Sequence, residues 1–286
     1  MKNSFVATGL LFAALWSSAS VAAKFGLQSA EPMVLFDIRY FGAGFFLLIY
    51  ALAFEKQRMP QGKEWLQLLL FAVLNTVIYL GLFVFAMKQV AAGIGSLAIA
   101  INPLLISIIS AFYTGKSVRS KAWIAIVLGM AGVAIATYPL LQNSFATPQG
   151  LLLLFLSMLS YSVATIYFSE IDWKLSRSSI NGWQALISGV ICLPLIYFFH
   201  EKESHYDNRF WATEVWLIIF VSVAAVQLWL KLLKDDAVRA SLFLFLCPVF
   251  GFAYATFLLG EPFTLYTAAG TVLVLIGLWI GQRSGK

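Results

Sequence analysis

The feature that most constrains this sequence is an internal repeat with a constant offset of 145 residues, as from Pro103 to Pro248. At this offset, residues 92–97 (AGIGSL) align without a gap on residues 237–242 (AVRASL). Further aligned pairs are Trp16 with Tyr161, Arg39 with Gln184, Phe112 with Phe257, Gly115 with Gly260 and Gly132 with Gly277. Both copies are strongly apolar, and many membrane transporters are duplicated apolar bundles. Transport is therefore the leading hypothesis.

The composition indicates a polytopic membrane protein. The chain is 61% hydrophobic and only 11% charged, whereas soluble domains carry about 25% charged residues. The net charge of +6 could suggest nucleic-acid binding, but the basic residues lie in short loops between apolar runs, which membrane orientation explains better. Cys192 and Cys247 both lie in apolar segments, and the sequence has no CxxC or Cys/His cluster. We therefore expect no disulfide framework, no metal site and no cofactor.

Apolar stretches of about 20 residues, the length that crosses a bilayer, recur along the whole chain. They fall at 4–23, 34–54, 65–87, 90–113, 121–141, 149–169, 181–199, 214–233, 238–259 and 264–282. The sequence thus predicts an all-α membrane protein with ten transmembrane helices and no soluble domain. The first run could also be read as a cleavable signal peptide. We expect it to stay as a transmembrane helix because it is long enough to span and carries the repeat residue Trp16.

Lys and Arg residues predict the orientation. With both termini in the cytoplasm, fourteen basic residues fall on the inner side: Lys2, Lys56, Arg58, Lys63, Lys116, Arg119, Lys121, Lys174, Arg177, Lys231, Lys234, Arg239, Arg283 and Lys286. Four fall on the outer side: Lys24, Lys88, Lys202 and Arg209. This bias follows the positive-inside rule and predicts a multi-pass protein of the inner membrane with both termini cytoplasmic.

Each copy of the repeat contains five predicted spans, an odd number. The repeats at 1–143 and 144–286 are therefore expected to have opposite orientations in the membrane. Such inverted repeats provide two similar gates on opposite faces of one central site, as alternating access requires.

Several of these motifs resemble the drug/metabolite transporter superfamily, specifically its ten-helix EamA-type permeases. They are Leu15-Trp16-Ser17, Arg39, the Ala-x-x-x-Ser-Leu…Pro pattern ending at Pro103 and Pro248, and Leu259-Gly260-Glu261 followed by Gly270 and Gly277. The first copy departs from the closing motif, with Gly115-Lys116 in place of Gly-Glu and Ala125 where the second has Gly270. The resemblance covers essentially the whole chain. It implies export or exchange of a substrate from a central cavity lined by spans 1, 3, 4, 6, 8 and 9.

Candidate substrate-binding residues are aromatic and polar side chains placed within the spans. The aromatic candidates are Trp16, Tyr79, Tyr161 and Trp229, and the polar candidates are Asn102 and Gln227. Aromatic walls suit flat, partly apolar solutes such as aromatic or branched amino acids, nucleobases or cationic drugs. The alternative for each residue is ordinary packing, since 25 Phe residues show how common aromatic filler is in this chain.

Arg39, about five residues into the second span, has two interpretations. It could reach the outer interface as a structural anchor, or it could bind a substrate carboxylate or a gating partner. Pro103 and Pro248 also have two interpretations. Each lacks an N–H and kinks a helix, and the kink is either a packing feature or a hinge beside the cavity.

The sequence lacks several kinds of functional group. It contains no HExxH, GxSxG or Walker pattern, so no catalytic residue is predicted and an enzyme is not expected. None of the thirteen acidic residues falls near the middle of a predicted span, which favours movement of a neutral or zwitterionic solute down its own gradient. We predict a secondary transporter of small organic metabolites, either an exporter or a facilitator, as a monomer or a homodimer in the lipid bilayer. The alternative is a channel or a receptor or scaffold without carrier activity.

The topology can be tested by cysteine labelling. We expect the Ser204→Cys variant to react with a membrane-impermeant maleimide added to intact cells, because the charge bias places residues 200–213 outside. The Ser117→Cys variant, beside Lys116, should react only after permeabilisation. The opposite pattern of labelling would reverse the predicted orientation.

Overall fold

The computed structural model describes residues 2–87, 89, 92–115, 118, 120–141, 147–198, 203–259 and 264–282. Throughout these residues the regular secondary structure is helical, with no strand. The α-helices are α1 (Lys2–Gly26), α2 (Pro32–Ala53), α3 (Lys63–Ala72), α4 (Tyr79–Met87), α5 (Ala92–Thr114), α6 (Ser120–Leu141), α7 (Pro148–Glu170), α8 (Arg177–Phe198), α9 (Asn208–Trp216), α10 (Val226–Ser241), α11 (Leu246–Leu259) and α12 (Leu265–Gln282).

Several of these helices join end to end through short stretches of different helical geometry. A π-helical segment, Val73–Ile78, connects α3 to α4, and a second, Leu217–Ala225, connects α9 to α10. A 3-10 turn, Leu242–Phe245, connects α10 to α11. Inside α10, Asp236 has extended backbone angles (φ −168°, ψ 105°), which breaks the helix before its last turn.

The all-helical membrane class expected from the sequence is confirmed. Six helical stretches are long and apolar enough to cross a bilayer: Ser4–Ala23, Pro32–Ala53, Lys63–Phe83, Pro148–Glu170, Arg177–Phe198 and Asn208–Leu258. Three apolar helices are shorter: Ala98–Thr114, Ser120–Ala136 and Leu265–Gly281. The stretch Asn208–Leu258 is one helical run of 51 residues that covers two of the expected spans, because the helix resumes after the break at Asp236.

Helix positions recur at the offset found in the sequence. Shifted by 145 residues, α2 falls on residues 177–198, the bounds of α8, and the π segment Val73–Ile78 falls within Leu217–Ala225. The packing partners correspond in the same way. Helix α1 packs on α11 and on the second π segment, while α7 packs on α5 and on the first, and α2 packs on α8 as α6 packs on α12.

The α6–α12 pair is held close by glycines. A Cβ atom built on Gly132 would lie 2.6 Å from the carbonyl oxygen of Gly270, and one built on Gly270 would collide with the carbonyl oxygen of Gly132. A Cβ atom on Gly277 would lie 2.9 Å from the carbonyl oxygen of Ala125. Small residues of this kind let membrane helices approach until their backbones touch.

One end of the bundle is closed by hydrogen bonds between residues 27–31 and 203–209. The Ser29 hydroxyl donates to the Asp207 carboxylate (3.0 Å), and the Glu31 backbone N–H donates to the Ser204 hydroxyl (3.1 Å). The Phe210 backbone N–H and the Ser29 hydroxyl lower the pKa of the Asp207 carboxyl, since both donate to its charged form. These bonds tie the start of α2 to the start of α9.

The opposite end has a matching set of bonds between residues 55–57 and 176–178. The Ser176 and Ser178 hydroxyls both donate to the Glu55 carboxylate, at 2.5 Å and 3.0 Å. The Ser176 backbone N–H also donates to the Gln57 side-chain oxygen at 3.1 Å. Helix α2 is therefore tied at its start to α9 and just beyond its end to the start of α8.

The glycine contact of α6 and α12 predicts a specific sensitivity to added side-chain volume. The Gly270→Ala variant should unfold at a lower temperature, because its methyl group forces two backbones apart and such overpacking costs about 1–3 kcal/mol. The matched control is Gly251→Ala on α11, where a Cβ atom meets nothing within 4 Å. Thermal unfolding of both purified variants compares them. A Gly270→Ala variant as stable as Gly251→Ala would contradict the close contact.

Candidate functional site

Four aromatic side chains predicted from the sequence lie in one cluster, in which Tyr161 and Trp229 are buried and Trp16 and Tyr79 are half-buried. Phe12 lies between two of them, with ring centroids 5.8 Å from Trp16 and 4.8 Å from Trp229. Tyr161 stacks on Trp229 at 6.2 Å with an interplanar angle of 15°, and Tyr79 lies 4.9 Å from Tyr161. The cluster therefore joins α1, α4, α7 and α10, which lie in spans 1, 3, 6 and 8 of the sequence prediction. Phe12 was not singled out from the sequence, where nothing distinguishes it from the other 24 Phe residues.

The cluster carries a polar atom that lacks a partner. The Tyr161 hydroxyl is buried and makes no hydrogen bond among the residues that the structure describes. Burying a hydroxyl without a hydrogen bond is costly, so the arrangement suits a bound molecule that supplies an acceptor or a donor. The Gln227 amide nitrogen is also buried without a partner. Gln227 is two residues from Trp229 on α10 and so points in a different direction.

Asn102 lies outside this cluster, at a contact between α5 and α7. The Ser162 hydroxyl donates to the Asn102 side-chain oxygen at 3.2 Å, and the Asn102 amide nitrogen lies 3.3 Å from the Met158 sulfur. At the offset of 145 residues, Ser17 and Cys247 correspond to Ser162 and Asn102, and they too are hydrogen-bonded to each other. The same contact is thus made twice, which indicates that Asn102 joins helices.

Arg39 is inside the bundle and does not extend to the surface. Its side chain is 8% exposed, and its Nε donates to the Ser222 hydroxyl at 2.6 Å. The Asn181 amide donates to the Ser222 carbonyl at 2.8 Å, and the Gln184 amide donates to the Asn181 side-chain oxygen at 3.0 Å. The Asn75 amide in turn donates to Gln184 at 3.0 Å. We call these five residues the polar chain.

Each of the two π segments contributes one residue to the polar chain. Ser222 lies in the second and Asn75 in the first. Arg39 and Gln184, which align in the repeat, each bond to the π segment of the opposite half. A π turn displaces backbone carbonyls from the usual helical pattern, and side chains occupy two of them: Asn181 bonds the Ser222 carbonyl, and the Ser160 hydroxyl bonds the Leu74 carbonyl at 2.8 Å. In the sequence, these segments differ from the surrounding apolar runs only by one or two polar residues each.

The two prolines differ in their local structure. Pro103 lies in the interior of α5, which is α-helical on both sides of it. Pro248 is the third residue of α11, the helix that directly follows the 3-10 turn. Its missing N–H therefore falls in a first turn, where that group has no partner within the α-helix. Pro103 therefore lies within a helix, whereas Pro248 lies in the first turn of one.

A large cavity opens at the end of the bundle where α5 and α7 end. Its volume is about 430 Å³. It is lined by Ser110, Thr114, Val118, Ala122, Ser169, Glu170, Leu233, Lys234, Asp235, Asp236, Ala237, Val238, Arg239 and Gly281. Lys234 donates to the Ile171 carbonyl, and the Asp236 carboxylate accepts from the Arg239 backbone N–H at 3.0 Å, which caps the last helical turn. Leu233 lies one helical turn beyond Trp229, so α10 leads from the aromatic cluster towards this cavity.

Near the opposite end, a cavity of about 20 Å³ lies between α2, the first π segment, α4 and α8. Its polar lining includes Asp37, Tyr40, Thr76 and Cys192. In the part of the chain that the structure describes, no group of three or more His, Cys, Asp or Glu side chains could hold a metal ion. The two cavities thus differ strongly in size, and the wider one is at the end that carries Lys234.

Comparisons with known proteins agree on one architecture. A solved crystal structure matches with a TM-score of 0.85 at 17% identity, covering 100% of this chain and 99% of that one. An uncharacterized transporter of Synechocystis is 24% identical, over 98% of this chain and 92% of the relative. The Escherichia coli uncharacterized inner membrane transporter YedA is 24% identical, over 94% of this chain and 89% of the relative.

The family comparison matches both halves of the chain separately. The sequence model of the EamA-like transporter family matches residues 3–138 and again residues 148–280. The two matches begin 145 residues apart, the offset at which helix bounds recur and at which the Ser17–Cys247 contact corresponds to the Ser162–Asn102 contact. Together they cover nearly the whole bundle that positions the aromatic cluster, and the chain belongs to the EamA-like transporter family.

Proposed function

We propose that this membrane transporter moves a small organic solute by alternating access between two inverted five-helix halves, residues 1–143 and 144–286. The solute is neutral or zwitterionic with a flat, partly apolar surface, such as an aromatic or branched amino acid or a nucleobase. The observation that carries the proposal is the aromatic cluster, in which four helices from both halves meet around the unpartnered Tyr161 hydroxyl. Stacked rings bind a flat solute, while the hydroxyl fixes its orientation.

The inverted arrangement is supported by equivalent contacts in the two halves. Arg39 and Gln184 each bond to the π segment of the other half. Ser17 and Ser162 likewise each bond to a helix of the other half. Each contact therefore has an equivalent in which the two halves change places. With five spans in each half, exchange of the halves also exchanges the two faces of the membrane.

The cavities support an inward-facing state. With both termini in the cytoplasm, the 430 Å³ cavity beside Lys234 opens inwards, and the 20 Å³ cavity beside Asp37 is the closed outer entrance. In this proposal, the path between the two cavities passes the residues of the aromatic cluster and Leu233. In this proposal, Trp16, Tyr79, Tyr161 and Trp229 contact the solute, Gln227 adds a polar contact, and Arg39 and Asn102 hold the surrounding helices.

Counterflow in proteoliposomes tests this function. Of a library of amino acids, nucleobases and cationic drugs, we expect a subset with flat apolar groups to exchange with saturation. The Trp229→Ala variant should raise KM about tenfold, since loss of aromatic stacking of up to about 1.5 kcal/mol corresponds to that factor. Trp211→Ala, which alters a half-exposed ring on α9, is the matched control.

The result also distinguishes the alternatives. Flux that rises without saturation and shows no counterflow would indicate a channel. A Trp229→Ala variant with the KM of the Trp211→Ala control would remove the aromatic cluster from the binding site.

The proposed hinge role of the prolines predicts loss of transport without loss of folding. In the Pro103→Ala variant, the new N–H can bond the Ile99 carbonyl and straighten α5. In Pro248→Ala, the new N–H can bond the Leu244 carbonyl and replace the 3-10 turn by continuous α-helix. Because the halves are inverted, the two variants should favour opposite-facing states, which cysteine accessibility at the two ends would measure.

Pro194→Ala is the control for these variants. Pro194 is also inside a helix, α8, but its side chain is exposed on the outside of the bundle. If Pro103→Ala and Pro248→Ala transport like Pro194→Ala at equal expression, the two prolines are packing features only.

A further inference from the structure

The carboxyl group of Glu214 is the most isolated ionisable group in the described part of the bundle. Glu214 lies in α9 and is 1% exposed. Neither of its carboxyl oxygens has a hydrogen-bond partner, and the described ion pairs do not include it. The sequence placed Glu214 at the first position of a predicted span, where water would reach it, but the structure removes it from water.

Arg39 is the charged side chain that acts on Glu214 across the contact between α2 and α9. Helix α2, which carries Arg39, packs against α9, and the described ion pairs do not join the guanidinium to the Glu214 carboxyl. The Arg39 Nε instead donates to the Ser222 hydroxyl, and Ser222 lies eight residues after Glu214 on the same helical run. Between them, Ile218 packs against α2 at Gly42, where a Cβ atom would lie 2.5 Å from the Ile218 side chain. This run is therefore in direct contact with α2.

The other titratable groups around α9 are few. Helices α1 and α2 and the second π segment pack against it. The π segment has no titratable residue, and on α1 the side chains of Lys2 and Lys24 lie outside the described residues. Helix α2 contributes Asp37, Arg39, Tyr40 and Tyr50. Of these, Asp37 is the competing acid, since it is 4% exposed and its Oδ1 has no partner.

A buried carboxylate without hydrogen bonds or a counter-ion is strongly unfavourable, so such a group is neutralised. Two arrangements achieve this for Glu214. Either the carboxyl holds a proton, or the guanidinium moves from Ser222 to form a direct ion pair with the carboxylate. The described conformation has the Arg39–Ser222 bond, so it corresponds to the protonated arrangement. Exchange between the two breaks the carboxyl O–H bond and transfers the proton to water, with the guanidinium as the new counter-charge.

We propose that Glu214 is the proton-binding residue of this carrier and that Arg39 is the positioning residue that displaces the proton. Solute movement is then coupled to protons. This differs from the expectation from the sequence, which favoured movement of the solute down its own gradient. This inference rests on the proposed carrier function, but the protonation of Glu214 can be measured without any solute.

Infrared spectroscopy of the full-length protein in lipid tests the proton site directly, with the proton as the probe. Wild type and the Glu203→Gln control, which alters an exposed loop residue, should show a carboxylic-acid C=O band at pH 7 that Glu214→Gln lacks. Glu214→Asp should keep the band at a shifted frequency, which shows that loss in Glu214→Gln is not misfolding. Arg39→Gln should keep the band to higher pH, because the counter-charge is absent.

Three results would overturn the proposal. They are a band unchanged in Glu214→Gln, a band that disappears in Asp37→Asn instead, and no carboxylic-acid band in wild type at pH 7.

Transport measurements then test the coupling. With the solute that gives counterflow in wild type, an imposed pH gradient should drive uphill accumulation. The Glu214→Gln variant should keep counterflow and accumulate the solute only to the external concentration. Equal accumulation by Glu214→Gln and wild type would reject coupling through this residue. Absence of counterflow in wild type would reject the proposed carrier function, while the infrared result would still decide the proton site.

Discussion

Inside a bilayer, a polar group that lacks a partner in its own helix must find one elsewhere in the protein. The polar chain from Arg39 to Asn75 follows this constraint across the bundle, since each member bonds to the next. The chain also accounts for the π segments, because a carbonyl displaced from the helical pattern is acceptable only beside a donor such as Asn181 or Ser160. Irregular backbone and buried polar side chains thus stabilise each other, and together they connect the two halves.

The repeat describes the scaffold better than it describes the aromatic cluster. Trp16 and Tyr161 align in the repeat and both lie in the aromatic cluster, but Tyr79 aligns with Ala224 and Trp229 aligns with Val84. The cluster is therefore asymmetric although the helices around it correspond. The two halves thus provide matching frameworks, and single side chains that differ between them determine the composition of the cluster.

Much of the fold could be predicted from the sequence, because hydropathy and the positions of Lys and Arg act over whole segments. The membrane class followed from such averages, whereas the four aromatic residues were candidates because they lie within the predicted spans, and a common cavity for them was implied only by the family resemblance. Details that depend on neighbouring helices could not be predicted. The 3-10 turn before Pro248, the location of Ser222 beside Arg39 and the burial of Glu214 all depend on what packs against one turn of helix. A residue near the end of an apolar run is exposed only if no other helix covers it.

The Arg39–Ser222 bond has a consequence for biogenesis, because its two residues are 183 positions apart in the chain. Arg39 enters the membrane with the second span, and an arginine in a transmembrane helix is unfavourable until it has a partner. At about 5–20 residues per second of synthesis, the ribosome needs roughly 10–40 s to make the segment that contains Ser222. During that interval α2 lacks the Ser222 hydroxyl that binds its guanidinium in the complete bundle. We therefore expect the first half to be an assembly intermediate that gains stability when the second half is inserted beside it.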